Sequence, residues 1–217
     1  RLLFDLIKKT SFPCTQTLMG LGAFPTSDKQ SLGMLGMHGT YEANLSMHQC
    51  DLMICIGARF DDRITGKVSG FSPNSKKIHI DIDASSFNKS INVDLTIQGD
   101  IKKVLKKTLD IISKKNVKFN NKKIDKWWKK INVWRKKNCL GYKNSKKLIK
   151  PQYALQRLDS LTNKMHPYIT TEVGQHQMWA AQYLSFNKPR HWMTSGGLGT
   201  MGYGLPAAMG VQIAYPK

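Results

Sequence analysis

Apolar positions along the chain alternate between two periods, and the alternation predicts a mixed α/β protein. Leu2, Leu3, Leu6 and Ile7 fall on one helical face, so Leu2 to Lys9 reads as the end of a helix. Phe12 to Leu18 reads as a short strand closed by the turn formers Gly20, Gly22 and Pro25. A helix is expected over Tyr41 to His48. Asp51 to Gly57 is an almost unbroken apolar run of strand length, the pattern of a parallel strand buried on both faces. Ile78 to Asp83 is a further strand, and Ile101, Val104, Leu105, Leu109 and Ile112 place a helix over Asp100 to Ile112. Ile124, Trp128, Ile131 and Trp134 trace one face of an amphipathic helix whose other face is Lys. Pro151 opens a helix carrying Ala154, Leu155, Leu158 and Leu161, Pro167 to Thr171 is β-like, and Pro206 fits the first turn of a helix over Ala207 to Ala214. The expected domains are 1–112, a Lys-rich linker with one helix over 113–150, and the beginning of a second α/β domain over 151–217.

Charge changes this picture little. The net charge is +20, but residues 102–150 hold 18 Lys and one Arg against two Asp, leaving only +3 for the rest. Base readers and phosphate clamps draw on Arg, and the chain has six Arg against 28 Lys. The excess therefore reads as compositional drift on a solvated face, with a Lys-rich nucleic-acid-binding protein as the alternative from another class. The tryptophans read as packing anchors rather than base-stacking platforms. No run of 18 apolar residues and no secretory signal pattern occur, so neither a membrane partner nor export is indicated. The first residue is Arg, which leaves room for an upstream targeting segment. Cys14, Cys50, Cys55 and Cys139 have no zinc spacing and read as buried reduced thiols of a reducing compartment.

The chemistry-bearing stretches lie where these elements end. Thr194 to Ala208 has five glycines within nine residues, where backbone must take positive φ or let a ligand touch it. With a helix start behind it, the stretch reads as a phosphate-facing loop. Upstream, Thr171-Glu172-Val173-Gly174-Gln175-His176-Gln177 follows a strand and opens a helix, the layout of an α/β ligand site. Gly57-Ala58-Arg59-Phe60-Asp61-Asp62-Arg63 ends the first buried strand, and Asp81 ends the next, where an acid can accept hydrogen bonds from ribose hydroxyls. Glycines on both sides of Met37-His38 argue for close backbone approach to something flat. No G-x-G-x-x-G follows the first strand, which removes the main support for a dehydrogenase. The S-x-x-K match at Ser86 to Lys89 lacks its companion motifs.

Val-Gly-Gln-His-Gln-Met-Trp followed by Ser-Gly-Gly-Leu-Gly-Thr-Met-Gly resembles the thiamine diphosphate enzymes, and specifically the catalytic subunit of the acetohydroxyacid (acetolactate) synthase family. Gly-Ala-Arg-Phe-Asp-Asp-Arg and Thr-Leu-Met-Gly-Leu-Gly match the same family. The resemblance implies a doubly wound middle domain followed by the start of the cofactor domain. It also implies condensation of pyruvate with a second 2-oxoacid, pyruvate or 2-oxobutanoate, with loss of carbon dioxide, as the first common step of branched-chain amino acid biosynthesis. Another thiamine diphosphate carboligase or 2-oxoacid decarboxylase is the nearer alternative. Val173, Gly174, Gln175, His176, Gly199 and Met201 inherit contacts to thiamine diphosphate, with Gln175, His176 and Met201 close to the chemistry. Thr17, Leu18, His38, Gly57, Arg59, Asp61, Asp81, Ile82 and Asp100 inherit contacts to FAD, which performs no net redox step. Met37 and Arg63 face the 2-oxoacid. The family's activating glutamate lies before Arg1 and its Mg2+ motif after Lys217, so the resemblance makes this chain a fragment, inactive alone and without metal ligands. A homodimer or homotetramer, a small regulatory subunit and a cytoplasmic or plastid location are further implications.

Overall fold

The computed structural model describes residues 1–216. In chain order the first half contains α1 (Leu2–Thr10), β1 (Cys14–Gln16), β2 (Ser31–Met34), α2 (Tyr41–Gln49), β3 (Leu52–Ile56), α3 (Asp62–Thr65), β4 (Lys76–Asp81) and β5 (Leu95–Gln98). The second half contains α4 (Ile101–Lys114), α5 (Asn121–Arg135), α6 (Pro151–Thr162), β6 (Ile169–Thr171), α7 (Gln175–Tyr183), β7 (Trp192–Thr194) and α8 (Gly204–Ala214). These elements form two compact units. The first comprises residues 1–13 and 35–137, and the second 14–34 and 138–217.

The first unit is built on the parallel sheet β3-β4-β5, with Ile54 opposite Ile78 and Ile78 opposite Leu95. Parallel pairing forces each connection to cross back over the sheet, so all three strands point their carboxyl ends the same way. Phe60, Phe71 and Ile91 form a buried cluster there, with Met47, Met53, Cys55, Ile64 and Val93 packed on it. Helix starts follow their capping chemistry: Thr40 accepts from the Ala43 N–H at 3.2 Å and Asn120 from the Lys123 N–H at 3.1 Å. Helix α5 packs on α2 and buries Ile131 completely, while Trp128 Nε1 donates to the Ser11 carbonyl at 2.8 Å. The tryptophans thus anchor the helix by packing, as their spacing predicts.

In the second unit β1 pairs with β2 and β6 with β7, both parallel. Leu21, Met34, Ala180, Ala181, Leu184, Phe186 and Trp192 form its core. Asp159 on α6 accepts from the Ser185 N–H and hydroxyl, both at 2.8 Å, and so fixes the chain where it leaves α7.

Several expectations need correction. Strand β3 is not buried on both faces: it is the edge of its sheet, and Leu52 and Ile54 are exposed at 39% and 37%. The strand read over Phe12 to Leu18 shrinks to Cys14–Gln16, because Thr17 caps a 3-10 turn, its Oγ1 accepting from the Gly20 N–H at 3.1 Å. Helix α8 begins at Gly204 rather than Ala207, since Pro206 needs no N–H partner within the first turn. The cysteines are free, but Cys139 is exposed and the other three only partly buried. By contacts Cys14 to Met34 group with the second unit and α5 with the first, a partition that the periodicity did not give.

Candidate functional site

The carboxyl edge of β3-β4-β5 gathers one set of the residues singled out by sequence. Gly57 follows β3 with φ 63°, its N–H bonded to the Ile80 carbonyl at 2.8 Å. That left-handed backbone favours glycine, while an added Cβ would meet only the mobile Cδ1 end of Ile101, 2.8 Å away. Phe60, though buried, takes φ 53°. That backbone is costly for an aromatic residue and persists because the ring is held edge-on by Phe71 and His79, at 5.7 and 5.1 Å. The ring goes inward, and its neighbours in sequence are pushed to the surface. Arg59 pairs with Asp61 at 2.9 Å, and Arg63 with Asp62 at 3.1 Å, all four side chains more than half exposed. Exposed pairs of this kind contribute little, so either guanidinium can turn to a ligand at small cost.

Asp81 ends β4 and is nearly buried. Its carboxylate accepts from the Asp83 N–H at 2.9 Å, and its carbonyl from the Gly99 N–H at 2.9 Å. Ile82 is exposed beside it. Asp100 is the N-cap of α4, accepting from the Lys103 N–H at 2.9 Å, so it has a structural task whatever else it holds. Met37 and Arg63, far apart in sequence, come together: the Met37 N–H donates to the Arg63 carbonyl at 2.8 Å. A Cβ on Gly36 would lie 2.5 Å from that carbonyl, which explains the glycine before Met37. The Met37 side chain is exposed at 64%, and His38 is exposed next to it.

In the second unit, register pairs Thr171 with Thr194, whose hydroxyls meet at 2.8 Å. Because β6 and β7 are parallel, the Glu172 to His176 turn and the Ser195 to Gly202 loop leave from the same end of the sheet, the position where α/β folds bind ligands. Gly174 takes φ 147° and starts α7, presenting Gln175 and His176 exposed on its first turn. Gly199 and Gly202 take φ 67° and 78°, and Met201 is exposed at 70% between them. Thr17 and Leu18 lie on this side too: Leu18 Cδ2 is 3.5 Å from where a Gly196 Cβ would be, and Met19 sits against Gly196.

Two residues that motif reading passed over organise this end. Gln177, almost fully buried, donates to Thr194 Oγ1 at 2.6 Å and so ties α7 to the strand pair. Its amide in an otherwise apolar helix face was the available signal. Glu172 accepts from the Tyr203 and Gly204 N–H groups at 2.9 and 2.6 Å. Desolvation pushes its carboxyl pKa up, but the backbone N–H groups of Gly204, Tyr203, Gly202 and Leu205 outweigh that and hold it below the ordinary carboxylate value. This corrects the reading of a free anion seat in front of α8: the protein's own carboxylate occupies it. At the start of α7 Gln177 Oε1 accepts from the Gly174 N–H at 3.4 Å, while the Gln175 and His176 side chains are exposed. Among the described residues no three His, Cys, Asp or Glu side chains cluster to hold a metal ion.

Two units built on parallel strands, with glycine-rich or charged loops at the carboxyl ends of those strands, fit the thiamine pyrophosphate enzymes. Residues 1–108 match the family model "Thiamine pyrophosphate enzyme, central domain", and residues 172–217 match "Thiamine pyrophosphate enzyme, C-terminal TPP binding domain". The chain belongs to this family. Within it, the chain is 47% identical over 213 residues to the acetolactate synthase isozyme 3 large subunit of Escherichia coli, an alignment covering 98% of this chain and 37% of that protein. It is 50% identical over 210 residues to an acetolactate synthase large subunit of Buchnera aphidicola, covering 97% and 36%. Against the chloroplastic acetolactate synthase 2 of Nicotiana tabacum, identity is 48% over 212 residues, covering 97% and 31%. The chain thus spans about a third of the length of these relatives.

Proposed function

We propose that the chain is the part of an acetolactate synthase catalytic subunit that seats thiamine diphosphate against one sheet end and FAD against another. The observation that carries this is the paired exit of the Glu172 to His176 turn and the Ser195 to Gly202 loop from β6 and β7, register-locked at Thr171 and Thr194. The loop fits a flat ring: exposed backbone, positive φ at Gly199 and Gly202, and the Met201 side chain standing free. Val173, Gly174, Gln175 and His176 would hold the polar end of thiamine diphosphate, Gly199 its pyrimidine, and Met201 its bend. When bound, that group supplies the electron sink for decarboxylation of a 2-oxoacid. The chain's own residues bind, orient and exclude water. Gly57, Arg59, Asp61, Asp81, Ile82 and Asp100 form a second ligand edge suited to FAD, with His38 as a further contact. Arg63 would grip the carboxylate of the second 2-oxoacid through a planar fork, with Met37 as its apolar wall. Mg2+ would be held outside the residues described. A homodimer or homotetramer, joined by a small regulatory subunit, is the assembly this reading favours.

The test is product analysis by the full-length protein given pyruvate, thiamine diphosphate, Mg2+ and FAD. 2-Acetolactate as the main product is expected. Acetaldehyde alone would replace the carboligase reading with a 2-oxoacid decarboxylase.

A further inference from the structure

We infer that Glu172 is a positioning residue: its carboxylate clamps the far end of the Ser195 to Gly202 loop onto the end of β6, and thereby sets where Gly199 and Met201 stand. The inference rests on the proposed thiamine diphosphate seat and deepens it.

The loop has two anchors. At its start Thr194 is held by Thr171 at 2.8 Å and by Gln177 at 2.6 Å, and the Ser195 hydroxyl accepts from the Thr200 N–H at 2.8 Å. At its end the Glu172 oxygens take the Tyr203 N–H at 2.9 Å and the Gly204 N–H at 2.6 Å. Each oxygen faces its own donor, an arrangement that a neutral amide cannot reproduce, because its NH2 would face an N–H. Gly204 completes the junction: a Cβ there would stand 2.8 Å from Glu172 N and 2.9 Å from Thr171 C, so α8 begins hard against the strand end. Between the anchors Leu198 is 96% exposed and Met201 70%, and Met19 sits against Gly196, so the position of the Leu198 to Met201 stretch depends on how its two ends are held. The carboxylate also supplies the negative charge that the first turn of α8 favours. A diphosphate is therefore steered away from α8 and towards the start of α7, where the Gln175 and His176 side chains are exposed.

Glu172 touches no reacting atom in this arrangement, so its removal should alter affinity rather than turnover. The experiment uses the full-length protein and Glu172→Gln. Hydrogen exchange at the amides of Tyr203 and Gly204, without cofactor, should quicken at least tenfold as the end of the loop opens. The dissociation constant for thiamine diphosphate should rise about tenfold or more, the scale of one lost charge-assisted bond, while kcat at saturating cofactor stays within about twofold. Wild-type protein gives an independent reading. The Glu172 pKa is depressed, so the clamp is intact above the ordinary carboxylate range and lost as pH falls through the depressed value. Wild-type exchange, corrected for the intrinsic pH dependence, should converge on the variant's at low pH. Unchanged exchange in the variant would overturn the clamp. Faster exchange with unchanged cofactor affinity, or a fall in kcat at saturating cofactor, would overturn its positioning role. Failure of wild-type protein to bind thiamine diphosphate would instead overturn the proposed seat.

Discussion

Helix α8 contains two glycines that should respond to the same substitution with opposite signs. Gly210 has nothing within 4 Å of the place where a Cβ would go. Gly210→Ala should therefore raise stability by about 0.8 to 1 kcal/mol, the difference in helix propensity between the two residues. Gly204 would gain at most the same amount, but its Cβ would stand 2.8 Å from Glu172 N, 2.9 Å from Thr171 C and 3.0 Å from Glu172 Oε1. Two of these atoms are backbone at the end of a strand and cannot step aside as a flexible side chain would. Overpacking of this kind costs about 1 to 3 kcal/mol, so the steric term exceeds the propensity term and the net effect is destabilising by up to about 2 kcal/mol. In a chain of this length that is a fall of up to about 4 to 8 °C in Tm, against a rise of about 2 to 4 °C for Gly210→Ala. Thermal melts of the two variants beside wild type give the sign, and hydrogen exchange along α8 locates the loss at its first turn. Equal stabilisation by both substitutions would refute the close approach of α8 to β6, and with it the Glu172 junction.

Other expectations follow from the same geometry. Arg63→Lys should slow capture of the second 2-oxoacid by about thirtyfold, roughly 2 kcal/mol, while carbon dioxide release from the first pyruvate is little changed. Single-turnover measurement separates the two, and equal slowing would leave Arg63 as a partner of Asp62 only. Asp81→Ala with Asp100→Ala should lower FAD retention on gel filtration and leave thiamine diphosphate affinity nearly intact. Loss of the α4 cap should also cost about 1 kcal/mol, so Asp100→Asn, which keeps a capping side chain, separates the two effects. Thiol labelling at pH 8 should modify Cys139 first, because it is exposed, whereas desolvation pushes Cys14 and Cys55 up to about 12 and raises Cys50 as well, leaving little thiolate. Fast modification of more than one thiol in the folded protein would contradict that burial.

Local chemistry was legible in the sequence wherever it is written in consecutive residues. Helix α4 shows in the spacing of its apolar positions, and β3 and β4 in their apolar runs. The glycine loop and the Gly57 to Arg63 turn show in residue types that only unusual backbone or ligand contact requires. What periodicity cannot carry is which element lies next to which. The apolar run of β3 promised burial on both faces, yet its place at a sheet edge exposes Leu52 and Ile54, a matter of strand order and not of strand composition. Cys14 to Met34 pack with residues more than a hundred positions away, as the bond from the Phe186 N–H to Thr26 Oγ1 at 2.8 Å shows. Glu172 read as one polar residue in a motif, and only the folding of α8 against β6 turned it into the anion at that helix start. Short-range preference chose the elements and the reactive residue types. Contacts between distant segments decided which carboxylates are spent on the backbone and which side chains stay free for a ligand.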